Sequence, residues 1–151
     1  MDVDKPDFAV VIPLENNGFH LVEQYRYPIG RRSWEFPSGS LPAGHTGTPV
    51  EAAAVELAEE TGFTAGRLDE LGYLHCANST TGEGFHIFLA TELTPGEPHR
   101  EATEQDMRQQ WFSRAQVEQM LLDGTITDGP TASAYLLLTL RNRVPDQPST
   151  A

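Results

Sequence analysis

Glu56, Glu59 and Glu60 stand at i, i+3 and i+4, the spacing at which side chains become neighbours on one helix. Like charges this close repel by about 0.2–0.5 kcal/mol per pair unless a cation lies between them. An oxygen-only donor set of this kind suits a hard divalent ion such as Mg2+ or Mn2+, which keeps several waters and completes its shell with substrate phosphates. The plainer reading is an acidic face turned to water on an acidic protein. The helix that carries the trio has both ends marked. Thr48 suits the N-cap, Pro49 the first helical position, and Glu51 completes a capping box, while Gly62 terminates the run. At about 100° per residue, Val50, Ala53, Ala54 and Leu57 form one stripe expected to face the core, with the three glutamates on a different arc.

The rest of the chain must supply the scaffold for that helix. Phe8 to Ile12 reads as a buried strand and Gly18 to Tyr25 as its hairpin partner, joined by the turn Glu15-Asn16-Asn17-Gly18. Trp34-Glu35-Phe36 is a short strand ended by Pro37, and Ser38 to Gly47, rich in glycine, is expected to be loop. Leu68 to Cys76 and Phe85 to Thr91 read as further strands. The polar stretch from Glu92 to Gln110, with Pro95, Gly96 and Pro98, is long enough to be a functional loop before Trp111-Phe112 returns to the sheet. Two helices follow, near Arg114 to Leu122 and Pro130 to Arg141. Strands interleaved with helices predict an α+β layered domain over 1–144, with 145–151 as a weakly ordered tail.

Composition narrows the function classes. With 10 Lys+Arg against 22 Asp+Glu the chain carries a formal charge of −12 over 151 residues, so nucleic acid is disfavoured as a partner. A small phosphorylated substrate fits once cations neutralise it. No apolar run is long enough for a membrane span or a signal peptide, and the expected location is the cytoplasm. The single cysteine, Cys76, excludes an internal disulfide and reads as a small buried hydrophobe.

The order Trp34-Glu35-Phe36-Pro37-Ser38-Gly39, glycine-rich loop, then Glu56-Leu57-Ala58-Glu59-Glu60-Thr61-Gly62-Phe63 resembles the Nudix hydrolase family, whose box reads G-x5-E-x7-R-E-U-x-E-E-x-G-U with U a bulky apolar residue. The second half of the box fits completely, but Val55 replaces its arginine. Gly39 takes the place of the box glycine only if two residues, such as Thr46-Gly47, are inserted, and His45 then stands where the loop glutamate belongs. Gln24-Tyr25-Arg26-Tyr27-Pro28, Phe85 to Thr91 and the acidic loop before Trp111 are similar to the ADP-ribose pyrophosphatase branch.

The resemblance implies a Nudix fold, a mixed sheet between helices, and metal-dependent hydrolysis of the pyrophosphate bond of a nucleoside diphosphate derivative, ADP-ribose or a nucleotide sugar. It implies that Glu56, Glu59, Glu60 and the Ser38 main chain hold Mg2+ or Mn2+. It also implies that Glu60 takes part in the chemistry, and that Glu104, or less readily Glu101, orients or deprotonates water. Arg26, Arg31 and Arg32 could meet a phosphate through their planar forks, Trp34 could stack on a base or pack in the core, and His45 could donate to a phosphate. Two alternatives stay open: a Nudix-fold module that binds nucleotides with little or no catalysis, which Val55 and His45 encourage, and a nucleoside triphosphate pyrophosphohydrolase. Members of the branch are often dimers with an extra N-terminal β segment; only about seven residues precede the first strand here, so that part of the resemblance is absent, and a homodimer is kept as an option without it.

Overall fold

A continuous apolar run such as Ala9-Val10-Val11-Ile12 must be covered on both faces, and strand β1 (Phe8–Glu15) meets that demand. Its side chains alternate with period two. Ala9 and Val11 join one apolar cluster, Val10 and Ile12 the other. The computed structural model describes residues 5–41 and 47–143; His45 and the predicted tail lie outside the described residues.

Asn16 and Asn17 both take positive φ, 52° and 56°, as a two-residue hairpin turn requires, and lead into β2 (Gly18–Arg26). The expected hairpin holds only at its tip, Leu14↔Phe19 and Glu15↔Gly18. Beyond it β1 leaves β2 and pairs in parallel with β6 (Gly84–Thr94). On its other side lies β4 (Ser38–Ser40), antiparallel. β2 runs between β3 (Arg31–Glu35) and β7 (Arg108–Ser113), and β5 (Thr64–His75) closes the far edge against β6. The sheet is therefore mixed, in the order β3-β2-β1-β6-β5 with β4 on β1 and β7 on β2.

Helix α1 (Pro49–Thr61) covers one face, with Ala53, Leu57 and the following Phe63 against Ala9, Val11, Phe88 and Ala90. Helices α2 (Arg114–Leu122) and α3 (Gly129–Arg143) cover the other through Val117, Met120, Ala134, Tyr135 and Leu138. This is the mixed sheet between helices that the family resemblance implies. Among the described residues no helix is long and apolar enough to cross a membrane.

Four expectations are corrected. Ser38 to Ser40, expected in a loop, is strand, because β1 offers it a free edge. The 92–110 connection shrinks to 95–107, since β6 runs to Thr94 and β7 starts at Arg108, and it contains a single 3-10 turn at Ala102–Glu104. The buried stripe of α1 is Ala53, Leu57, Glu60 and Thr61, while Val50 and Ala54 are exposed: the helix is rotated so that one glutamate shares the core face. Cys76 is exposed, because it falls just past the end of β5 in the turn before β6.

Candidate active site

Local chemistry fixes both ends of α1. Thr48 and Glu51 exchange the capping-box hydrogen bonds, and Gly62, at φ 81°, ends the helix with its N–H bonded to Ala58 O. Gly62 is required twice over, since a Cβ there would also stand 2.1 Å from the carbonyl oxygen of Gly96. The last turn of α1 thus lies directly against the 95–107 loop, with Glu59 on the loop side and Glu56 and Glu60 beside β4.

Glu60 is 1% exposed, and neither carboxylate oxygen has a well-formed hydrogen-bond partner. A buried, unsatisfied carboxylate is costly. Glu56 lies beside it, held where a side chain on Gly39 would otherwise be: a Cβ at Gly39 would fall 1.9 Å from the Glu56 Cδ. Burial pushes both carboxyls above the usual range, Glu56 to about 7 and Glu60 to about 10; a loose hydrogen bond between the two lowers Glu56 and raises Glu60, the Ser38 backbone opposes the rise of Glu60, and nearby charges raise both, from Glu59, Glu104 and Glu101 on Glu56 and from Glu56 and Glu104 on Glu60. Glu59 is raised as well, by burial first and then by Glu101 and Glu104. Each shift marks a demand for neutralisation, by a proton or by a cation.

A cation answers that demand. Among the described residues no three donor side chains are already gathered into a cage, but Mg2+ on a phosphate substrate needs only one or two carboxylates, the rest of its shell coming from water and phosphate. The buried Glu60 carboxyl, beside the Ser38 backbone, and the Glu56 carboxyl seated on Gly39 are donors of that hard, oxygen-only type. The residues present therefore fit a divalent ion.

Ser38 on β4 and Glu104 on the 3-10 turn line one cleft of about 400 Å³, together with Gln24, Tyr25, Arg26, Tyr27, Pro28 and Thr103. Glu104 accepts a hydrogen bond from the Glu101 N–H at 3.1 Å, which sets its side chain in the turn. Glu101 is exposed and lines none of the described depressions. Arg26 borders this cleft and two smaller ones. It donates to both oxygens of buried Glu35, at 3.0 and 2.7 Å, and its remaining N–H groups are free to serve another acceptor.

The other expected binders sit elsewhere. Arg32 is engaged by Glu23 at 2.6 Å and Asp106 at 2.9 Å, with further bonds to both backbone carbonyls, so it staples the end of the loop to β2. Arg31 bonds the carbonyls of Gly124 and Thr125. Trp34 packs edge-on to Phe112, ring centroids 5.0 Å apart, against the α2/α3 core.

Sequence reasoning missed several participants. The role of Gly39 as the seat of Glu56 and the pairing of half-exposed Arg26 with buried Glu35 depend on tertiary neighbours, whereas Asp128, which caps Thr131 three residues on at the start of α3, is legible locally. Tyr27 could have been suspected, since an aromatic beside Pro28 falls in a turn; it is 87% exposed at the rim of the cleft.

The sequence matches the NUDIX domain family model over residues 5–134. It is 35% identical over 130 residues to an ADP-ribose pyrophosphatase of Mycobacterium tuberculosis (strain ATCC 25618 / H37Rv), covering 85% of this chain and 62% of that protein. It is 34% identical over 105 residues to an ADP-ribose pyrophosphatase of Bacillus subtilis (strain 168), covering 69% of this chain and 56% of the other. The chain thus spans about three fifths of the length of these curated relatives. A crystal structure of an ADP compounds hydrolase shares the fold, with a TM-score of 0.79 and 24% identity over 89% of this chain and 71% of that one.

Proposed function

This chain belongs to the NUDIX family, and from that premise we propose that it hydrolyses the diphosphate bond of a nucleoside diphosphate derivative, with ADP-ribose or a nucleotide sugar as substrate and Mg2+ or Mn2+ as cofactor. The observation that carries the reading is the buried, unsatisfied carboxylate of Glu60 beside Glu56, next to a cleft bordered by Arg26 and Glu104. The relatives named as ADP-ribose pyrophosphatases support this substrate class.

Glu56, Glu59 and Glu60 would hold the ion, with the Ser38 main chain beside them. The ion, when bound, would neutralise the diphosphate, polarise its oxygens and lower the pKa of a water. Glu104, which lines the cleft together with Ser38, takes the proton from the attacking water. Arg26, already oriented by Glu35, offers its remaining N–H groups to a phosphate oxygen. Tyr25 and Tyr27, packed edge to face at 5.0 Å, wall the outer cleft where the rest of the substrate lies. One water is consumed and one P–O–P link broken, so ADP-ribose gives AMP and ribose 5-phosphate.

A screen of ADP-ribose, nucleotide sugars, dinucleotides and nucleoside triphosphates, with Mg2+ and with Mn2+, tests the proposal by the phosphates released. Metal-dependent AMP from ADP-ribose is the expected result. Pyrophosphate from a triphosphate would replace this reading with the triphosphatase one, and binding without release would leave a nucleotide-binding module.

A further inference from the structure

The negative end of α1 bears Glu59 and Glu60, and no basic residue of the helix stands in that last turn. This is the least favourable place on a helix for carboxylates, because the free carbonyls there already carry partial negative charge. The compensation comes from another segment. Arg100 donates from Nε to the Glu60 carbonyl at 3.2 Å and from Nη1 to the Met107 carbonyl at 2.8 Å. Its neighbour His99 donates its backbone N–H to the Glu59 carbonyl at 2.8 Å. Gly96 lies against Gly62 so closely that a Cβ on either would collide with the other's carbonyl.

These contacts bracket Glu104. His99 and Arg100 fasten the incoming side of the 3-10 turn to α1, and the second Arg100 bond fastens the outgoing side at Met107. The turn itself is closed by Glu104 N–H to Glu101 O at 2.9 Å and Met107 N–H to Glu104 O at 3.0 Å, while the Gln105 amide donates to the Arg100 and Glu101 carbonyls. One guanidinium therefore ties the backbone of Glu60 to the segment that carries Glu104. Its planar fork can reach two carbonyls at once, which an ammonium reproduces poorly.

We propose that Arg100 is a positioning residue, clamping the Glu104 turn onto the glutamate-bearing end of α1 so that both are set as one unit; as a statement about turnover, this rests on the function proposed above. Arg100 touches no substrate in this scheme. Its effect therefore falls on kcat, with the substrate KM held by Arg26 and the outer cleft.

The test uses the full chain with Arg100→Met, which keeps the stem and removes the donors, and Arg100→Lys, which keeps the charge. Amide exchange is read at His99, Glu104 and Met107 in metal-free protein. Mn2+ affinity is read by titration, and kcat and KM with ADP-ribose. In Arg100→Met the three amides are expected to exchange at least about tenfold faster and kcat to fall about 10–100-fold with KM nearly unchanged. Arg100→Lys should fall between, and should serve for the same readings if the Met variant does not fold. Unchanged exchange, or faster exchange with unchanged kcat, overturns the clamp. If the wild type turns over no diphosphate substrate, the proposed function fails separately; the clamp then stands only if exchange rises and Mn2+ affinity falls together, and any other result overturns it.

Discussion

Replacing Glu60 by Gln removes the titratable group from the most buried carboxyl among the described residues while preserving its shape. In the metal-free protein this change relieves a burden, since Gln is neutral without taking up a proton on folding, as buried Glu60 must, and its amide can donate to the neighbouring Glu56 carboxylate. The pH dependence follows from the direction of the shift. A carboxyl whose folded pKa is raised contributes stability that is complete below its unfolded value, here 4.5, and lost as pH climbs through the folded values, about 7 for Glu56 and about 10 for Glu60. Metal-free wild type should therefore lose Tm from about pH 5 to about pH 10, and Glu60→Gln should show a shallower loss that ends near pH 7. Added Mg2+ reverses the order. At about 100 times its Kd an ion stabilises by about 2.7 kcal/mol, or about 5–11 °C of Tm for a chain of this size. In Glu60→Gln that gain should shrink to less than about 2 °C, because a neutral amide oxygen replaces a charged donor. Scanning calorimetry with EDTA or Mg2+ across the pH range measures all of it without requiring a substrate. Equal Mg2+ gains in the two proteins would refute the assignment of Glu60 as a ligand.

Gly39→Ala should keep the fold, because the side chain it displaces is the flexible end of Glu56, yet weaken Mn2+ binding at least about tenfold by moving a donor, as titration calorimetry would show. Glu104→Gln should lower kcat by about 10²-fold or more with metal affinity unchanged, and Glu101→Gln should do less, as steady-state rates at saturating metal would show. Val55 is 51% exposed, so Val55→Arg should fold normally and place a cation one turn before Glu59, tightening Mg2+ binding and raising the rate by orienting that carboxylate; a variant that folds but matches wild type in both readings would show that Glu59 needs no such partner.

Where sequence reasoning succeeded, the signal was local. The ends of α1 depend on Thr48, Glu51 and Gly62 within the helix or beside it, and the double burial of β1 on an unbroken apolar run. It failed where a partner comes from far along the chain. The helical wheel set all three glutamates on a polar arc, but β4 and the loop draw Glu60 onto the core face and leave Ala54 in water, so a site requirement overrode hydrophobic patterning. Arg32 offers a phosphate-binding fork in isolation, and only the fold brings Asp106, 74 positions away, to occupy it. Arg100, unremarkable in the sequence, gains meaning only once the 95–107 loop is laid over the end of α1.

The parallel pairing of β1 with β6 also bears on how the chain is made. Phe8 finds its partner at Phe85, 77 residues later, so a nascent chain emerging at about 5–20 residues per second waits roughly 4–15 s before β1 can be closed on that side. The α2/α3 cover, ending with Leu138, arrives later still. Through that interval Ala9 to Ile12 form an unbroken apolar run with neither face protected, the kind of segment that self-associates when left open. Growth temperature and chaperone supply should accordingly govern the yield of this protein more than the stability of its finished state, and substitutions that slow closure of the β1–β6 pair should show first as aggregated product.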